Sequence, residues 1–432
     1  MHPLLHRIDG VLRPAGRVFY GWWIVGAGAG VVWLSALLWL NSYGAYIVLL
    51  QADFGWSKTL LGFAFALTRI ESGILGPLQG WLADRYGPRI IVSIGTVIFG
   101  AGFMLFAGIE TLLGFYLTFA MMALGASLGG FGTIMVSVVN WFTRHRAKAL
   151  AMSQMGMSVG GLSVPIIVFC LEAFGWRATA FWSGIVVLMV GLPLAQVFRH
   201  RPQEKGLQPD GIALDLPGAD GRIGALPGRD YTAREAMRTW QFWLISVGHA
   251  TALLSVSSIM VHLVPHLNEG LGYSLSLSGL VFALMTGFLL VGQVAGGYLG
   301  DRFNKRYICT LCMVGHAAAL LLIAYAKSPV AVIVFGLLHG LSWGLRGPQM
   351  MALRADYFGP SSFGTIMGFS GLVVMLGMGL GPIIAGYMAD VTGSYKSGFT
   401  LLALFCLLGS ASFFVATPPG DRPLGSGSAV TR

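Results

Sequence analysis

About twelve long runs of apolar residues, separated by short polar turns, constrain this chain more than any other feature of its sequence. Each run has at least about 18 residues with few charges, which is the length that an α-helix needs to cross a membrane. Hydrophobic residues make up 55% of the chain and charged residues 10%, whereas soluble domains carry roughly 25% charged residues. The sequence therefore predicts an all-α membrane protein with twelve transmembrane helices.

One ten-residue phrase occurs twice, half a chain apart. Gly80–Arg89 reads Gly-Trp-Leu-Ala-Asp-Arg-Tyr-Gly-Pro-Arg, and Gly297–Arg306 reads Gly-Tyr-Leu-Gly-Asp-Arg-Phe-Asn-Lys-Arg. Each copy joins the end of one apolar run to the start of the next. A repeat at this spacing predicts two pseudo-symmetric six-helix bundles around a cavity near the membrane midplane. We place the first half at residues 1–197 and the second half, with a cytoplasmic tail, at residues 241–432.

A cytoplasmic linker is predicted between the halves, at residues 198–240. This stretch breaks the apolar pattern with prolines, glycines and charges of both signs, and its last residues suit a short surface helix. Most of the 27 Lys and Arg fall on the linker side of the predicted membrane. This asymmetry follows the positive-inside rule and predicts that both termini are cytoplasmic. It also explains the net charge of +10 by orientation and contact with lipid, so no nucleic-acid partner is expected.

The repeated phrase resembles the motif between membrane helices that characterises the major facilitator superfamily (MFS) of secondary carriers. In that family the motif latches the two halves in one orientation, so the resemblance implies a conformational role. Its acidic residues can accept hydrogen bonds at the N-terminus of a neighbouring helix, where the helix dipole favours an anion. The residues to which the resemblance assigns this role are Gly80, Asp84, Arg85, Arg89, Gly297, Asp301, Arg302 and Arg306.

Two further stretches resemble bacterial monocarboxylate porter-like members of the superfamily, and the resemblance implies a bacterial inner membrane. Phe19–Val25 is similar to their aromatic entry to the first span, and Trp141–Arg146 to the basic stretch before span five. The sequence departs from that branch in span eight, residues 274–299, which contains no Lys, Arg, Asp or Glu. The arginine with which those porters bind carboxylates is therefore missing at that place, and substrate contacts cannot be transferred.

Three ionisable residues at membrane depth offer a replacement. Such a residue costs at least ~2.5 kcal/mol, so it normally faces a cavity and has a partner. Arg69 and Arg346 lie near the middle of spans two and ten, and a guanidinium group suits a carboxylate. Glu71, the only acid within a predicted span, is the candidate for proton coupling, in competition with His249 on span seven. The weaker candidates for substrate binding are Asn41, Tyr43 and Gln349, with His249.

These observations favour a monomeric secondary transporter that moves a small organic anion, a monocarboxylate for preference, by alternating access with a proton as coupling ion. The alternative is proton-driven efflux of amphipathic drugs or metabolites, and a remote alternative is a membrane sensor that does not transport. No cofactor or enzymatic activity is expected. Cys309-x-x-Cys312 has no second pair of ligands at suitable spacing, so no metal site is expected either.

Overall fold

The computed structural model describes residues 18–142, 145–211, 231–359 and 363–419, and all the long elements in these ranges are helices. Ten stretches of the described residues are long and apolar enough to cross a membrane; one of them divides into two helices at Gly175, and the 29-residue helix Lys58–Tyr86 is also long enough, which gives twelve. In chain order they are α1 Tyr20–Phe54, α2 Lys58–Tyr86, α3 Pro88–Phe106, α4 Leu112–Trp141, α5 146–174, α6 176–197, α7 Trp240–Gly270, α8 Leu275–Arg302, α9 Lys305–Ala324, α10 Pro329–Phe358, α11 Phe363–Thr392 and α12 Tyr395–Val415.

The division between α5 and α6 depends on one glycine. The apolar stretch Lys148–Val197 runs for 50 residues, which as a single helix would measure about 75 Å. That length is more than twice the roughly 30 Å of a hydrocarbon core. Gly175, with φ of 75° and ψ of 164°, breaks the helix near its middle, in the left-handed range of φ that glycine tolerates. The prediction of twelve membrane helices is confirmed.

The helices of each half pack mainly on one another, and the linker lies along one end of the molecule. We call that end the linker face; it carries Arg89, Arg199 and Arg302. The opposite end, which carries Glu269 and Asp390, is called the far face. In the linker, the predicted short helix is present as a single turn, Ala233–Met237. We use "first half" for α1–α6 and "second half" for α7–α12; the exact boundaries given above stay a prediction.

Glycine allows α8 and α10 to pack with their backbones almost in contact. A Cβ added to Gly344 of α10 would lie 2.1 Å from the Leu289 carbonyl oxygen of α8. A Cβ on Gly292 of α8 would lie 2.7 Å from the carbonyl oxygen of Leu341. Lipid tails are as apolar as leucine, so membrane helices associate through such close packing rather than through the hydrophobic effect.

The two halves contact each other at the far face and at mid-depth. Toward the far face, Gly44 and Gly62 of the first half pack closely on the carbonyl groups of Val261 and Pro382 in the second half, since a Cβ on them would lie 3.0 Å and 2.9 Å from the two oxygens. Several hydrogen bonds between described residues join the two halves. The one nearest the linker face is donated by Ser158 Oγ to Gln293 Oε1 at 3.0 Å. The far face of the molecule is therefore closed in this structure.

Candidate functional site: a basic cluster in the second half

Arg346 is buried inside the second half, on the face of α10 that meets α9. His339, Ser342 and Arg346 follow one another at helical spacing, so they share that face. The His339 Nδ1 lies 3.2 Å from the Nδ1 of His316 on α9. This contact shows that the shared face of α10 is turned toward α9. The Arg346 side chain is 1% exposed. The structure thus directs Arg346 into the second half, not straight toward the first half.

The Arg346 guanidinium has no carboxylate partner among the described residues. Its Nε and Nη1 are buried and find no hydrogen-bond acceptor in that part of the chain. The groups within electrostatic range are the thiols of α9 and α12, which are weak acceptors, and other bases. They are Cys309, Cys312, Cys406, His249, His316, His339 and Arg354. A buried cation in this setting is costly unless an anion joins it.

Arg354, two helical turns further along α10, is also 1% exposed and ties three helices together. Its Nη1 donates to the Met350 carbonyl at 2.8 Å, and its Nη2 donates to Ser370 Oγ of α11 at 2.7 Å. Ser370 Oγ in turn lies 2.8 Å from Ser246 Oγ of α7. No carboxylate contacts Arg354 among the described residues either. Among the described residues of the second half, the groups that contact these two buried positive charges are all neutral.

His249 of α7 is in contact with Arg354, lies within electrostatic range of Arg346, and is the half-buried member of the group. Its Nδ1 is 3.3 Å from Arg354 Nη2. Because a guanidinium group has donors and no acceptor, Nδ1 must accept this bond, and the imidazole is neutral with its proton on Nε2. We call Arg346, Arg354 and His249 the basic cluster. Its chemistry is that of an anion site with a titratable group beside it.

The three uncharged candidates from the sequence are used to join helices. The Asn41 side chain donates to the Met157 carbonyl at 3.3 Å, which links α1 to α5. The Tyr43 hydroxyl donates to the Leu61 carbonyl at 2.6 Å. The Gln349 amide donates to the Gly296 carbonyl of α8 at 2.6 Å. All three residues are buried, and these contacts are what polar groups in membrane helices commonly make. A role in substrate binding stays a prediction for each.

The two ionisable candidates of α2 are not brought to the basic cluster by any contact between described residues. Both lie on the helix Lys58–Tyr86, but the side chain of Arg69 lies outside the described residues. Glu71 is half-buried, and its Oε2 accepts a hydrogen bond from the neighbouring Ser72 Oγ at 3.2 Å. Glu71 makes further interactions beyond that one. Their predicted roles remain predictions.

The described part of the repeated motif lies at the linker face. Arg85 stacks on Trp81, Arg302 lies 3.9 Å from the centre of the Tyr298 ring, and Arg89 Nε donates to Gln196 Oε1 at 2.7 Å. Arg306 donates to the Tyr307 hydroxyl at 2.9 Å. Gly297 faces open space. The side chains of Asp84 and Asp301, and position Gly80, lie outside the described residues, so the predicted latch at this face stays a prediction.

Arg354 and its serine partners were missed by the sequence analysis. Arg354 lies within a turn of the end of α10, so its position suggested one more linker-face charge that sets orientation. Its burial depends on α7 and α11, which supply Ser246 and Ser370 from distant parts of the chain. The signal for this burial in the sequence was weak. In the structure α10 continues to Phe358, which places Arg354 inside the helix rather than after it.

Comparison with known proteins agrees with this architecture. The family model described as Major Facilitator Superfamily matches residues 28–286 and 245–431. Monocarboxylate transporter 13 of Bos taurus is 24% identical over 417 residues, an alignment that covers 94% of this chain and 92% of that protein. A probable sulfoacetate transporter of Cupriavidus necator is 26% identical over 391 residues, with 85% of this chain and 87% of that protein covered.

A solved structure shares the fold. A bacterial homologue of the human lysosomal transporter Spinster, in an inward-facing and unoccupied conformation, superposes with a TM-score of 0.72 at 18% sequence identity. The match covers 92% of this chain and 97% of that one. The family match over most of the sequence and the shared fold lead to the same conclusion. The chain is a multi-pass membrane transporter, not an enzyme, and it belongs to the Major Facilitator Superfamily.

Proposed function

We propose that this transporter carries a small organic anion, a monocarboxylate for preference, and that the basic cluster binds it. The observation that carries this proposal is the buried Arg346 guanidinium, whose Nε and Nη1 lack an acceptor among the described residues. The N–H groups of a guanidinium hold carboxylate oxygens by charge-assisted hydrogen bonds, and either of these two donors could make one. The names of both relatives above denote carriers of organic anions, which supports the same class of solute.

The charge balance of the second half favours an anion over a cation or a neutral solute. Arg346 and Arg354 are buried without a carboxylate among the described residues, and His249 adds a group that can become positive. A bound anion would offset this charge in a region of low dielectric, where such an interaction is strong. Access would come from the linker face, since the halves contact each other at the far face. Rocking of the halves would then expose the site alternately to the two sides.

A proton is the proposed coupling ion, and His249 is its proposed carrier. Protonation of His249 at Nδ1 would remove the acceptor that Arg354 uses and would put a third positive charge in the basic cluster. A bound anion compensates this charge, so anion and proton each favour the binding of the other. This reciprocity is what symport requires. Glu71 on α2 is the alternative carrier.

A panel of solutes tests the proposed substrate class. The purified transporter, in proteoliposomes preloaded with one solute, is assayed for counterflow of radiolabelled lactate, pyruvate, sulfoacetate and a neutral sugar. We expect counterflow of at least one organic acid and none of the sugar, because the sugar carries no charge to offset the arginines. Counterflow of the sugar alone, or of amphipathic cations instead of acids, would contradict an anion site.

The substitution His249→Gln tests the coupling. Glutamine can accept the hydrogen bond from Arg354 but cannot take up a proton. We expect uptake driven by an inwardly directed proton gradient to fall to the rate measured without a gradient, because glutamine cannot take up the proton that links the gradient to anion binding. Anion exchange without a gradient should persist. The control is His200→Gln, in the linker, and a variant at position 249 that keeps full proton-driven uptake would assign coupling elsewhere.

The orientation of the protein is also part of the proposal. We place the linker face and both termini in the cytoplasm, because most Lys and Arg residues lie on that side. The membrane would be the inner membrane of a bacterium, and the transporter would act as a monomer. The test is labelling of intact cells with a maleimide that does not cross the membrane. Glu269→Cys, on the far face, should react from outside, and Arg234→Cys, on the linker face, should not.

A further inference from the structure

We propose that Glu172 and Asp390 form two symmetry-related latches that hold the far face closed, each by binding the N-terminus of a helix in the opposite half. The proposal does not depend on which solute is carried. It concerns the face opposite the repeated motif, and neither acid belongs to that motif or to the basic cluster.

The first latch joins α11 of the second half to α2 of the first half. The Asp390 carboxylate accepts the Lys58 amide at Oδ1, at 3.0 Å, and the Thr59 amide at Oδ2, at 2.8 Å. The Thr59 hydroxyl donates to Oδ2 at 2.5 Å. Lys58 and Thr59 are the first two residues of α2, so Asp390 receives donors that the helix itself leaves unpaired.

The second latch joins α5 of the first half to α8 of the second half. The Ser276 amide donates to Glu172 Oε1 at 2.9 Å, and the Ser276 hydroxyl donates to Glu172 Oε2. Ser276 is the second residue of α8. The direction is therefore reversed with respect to the first latch: here the acid comes from the first half and the helix N-terminus from the second.

The correspondence between the two latches follows the sequence repeat. Thr59 and Ser276 are separated by the same offset as Gly80 and Gly297 of the repeated motif, and Glu172 and Asp390 by one residue more. The serines that precede α2 and α8, Ser57 and Ser274, also match. The Ser57 hydroxyl accepts the Leu60 amide at 3.2 Å and that of Ser274 accepts the Leu277 amide at 3.1 Å.

The physics of a reversible latch suits this geometry. The N-terminal serine of each helix satisfies the amide at the third position, and the acid from the opposite half satisfies the amides before it. A carboxylate at this place also interacts favourably with the helix dipole. Glu172 and Asp390 are exposed, so water can replace them at modest cost when the halves separate. In the first latch, the Lys58 ammonium also bridges to Glu269 of α7 at 2.6 Å.

Both latches must break when the far face opens, because each has its acid in one half and its donors in the other. Loss of either acid should therefore shift the population of conformations toward an open far face. Loss of both should shift it further by the product of the single effects, since the two sites lie on separate helix pairs.

A cysteine introduced at a buried position between the halves measures the opening of the far face. Ala66 of α2 is 1% exposed, and its Cβ lies 3.7 Å from the position of a Cβ on Gly379 of α11, so it faces the contact between the halves. In a background with Cys170→Ser, the variant Ala66→Cys is treated with a soluble maleimide in detergent micelles. We expect Glu172→Ala and Asp390→Ala each to raise the labelling rate by roughly two- to fivefold, the effect of an exposed carboxylate at a helix N-terminus.

The matched control is Asp53→Ala. Asp53 is an acid on the same face that accepts hydrogen bonds from Trp176 Nε1 at 2.7 Å and Arg177 Nη1 at 2.9 Å, all within the first half. The variant Asp53→Ala should therefore leave the labelling rate of Ala66→Cys unchanged. Equal rates in the alanine variants and the parent, or an equal rise with Asp53→Ala, would overturn the proposal. Glu172→Gln and Asp390→Asn, which preserve shape, should give smaller increases in protein that elutes as a single species.

Discussion

Replacement of Arg346 by Met is expected to abolish uptake of the organic anion while it raises the thermal stability of the empty transporter. The uptake rate should fall at least about 100-fold, because hydrogen bonds to charged groups contribute roughly 1.5–3 kcal/mol each. Stability should rise because methionine removes a buried charge that has no carboxylate partner among the described residues; such a charge costs at least ~2.5 kcal/mol on membrane insertion scales. Counterflow and thermal unfolding in detergent measure the two effects.

The opposite signs distinguish a binding residue from a structural one. If Arg346 only held helices together, Arg346→Met would lower the unfolding temperature together with the uptake. Stabilisation by added substrate should also disappear in the variant, since a ligand stabilises only a folded state that binds it. The control is Arg234→Met, an exposed arginine of the linker, which should change neither quantity. Full uptake by Arg346→Met would remove Arg346 from the proposed site.

A valine at position 344 is expected to prevent assembly of the second half. The Cβ at this position would lie 2.1 Å from the Leu289 carbonyl oxygen and 2.7 Å from the Gln293 amide, so α8 and α10 would have to move apart. Overpacking of a tight contact typically costs about 1–3 kcal/mol and more where backbone must move. We expect little or no monodisperse protein after extraction, as seen by fluorescence-detected gel filtration of a fusion protein.

Gly347 provides the matched control on the same helix. It lies three residues further along α10, and a Cβ there would meet nothing within 4 Å. Gly347→Ala should therefore yield folded protein in normal amount, and it serves as the control for Gly344→Val because both changes add a side chain to the same helix. Normal yield of Gly344→Val would show that α8 and α10 pack less tightly than the structure indicates.

The sequence analysis predicted the fold well because its signals were local. Length and composition indicate the membrane helices, and the similarity of Gly80–Arg89 to Gly297–Arg306 indicates the duplication. The same analysis selected Arg346 and His249 because charge at membrane depth is rare. It offered Tyr43 and Gln349 as weaker candidates for substrate binding, and that role stays a prediction; in the structure their polar atoms donate to carbonyl groups of neighbouring helices. A polar residue in an apolar run does not reveal which neighbour it will meet.

By itself, the sequence determined a membrane protein of twelve helices in a duplicated arrangement, since those properties depend on the lengths of its apolar runs and on its repeated motif. Only the tertiary structure decided that Arg346 faces α9, that Arg354 is buried against His249 and Ser370, and that Glu172 and Asp390 bind helix N-termini in opposite halves. Each of these contacts joins residues on different helices. Its geometry depends on helix rotation and packing, which small residues such as Gly344 set and which no single stretch of sequence encodes.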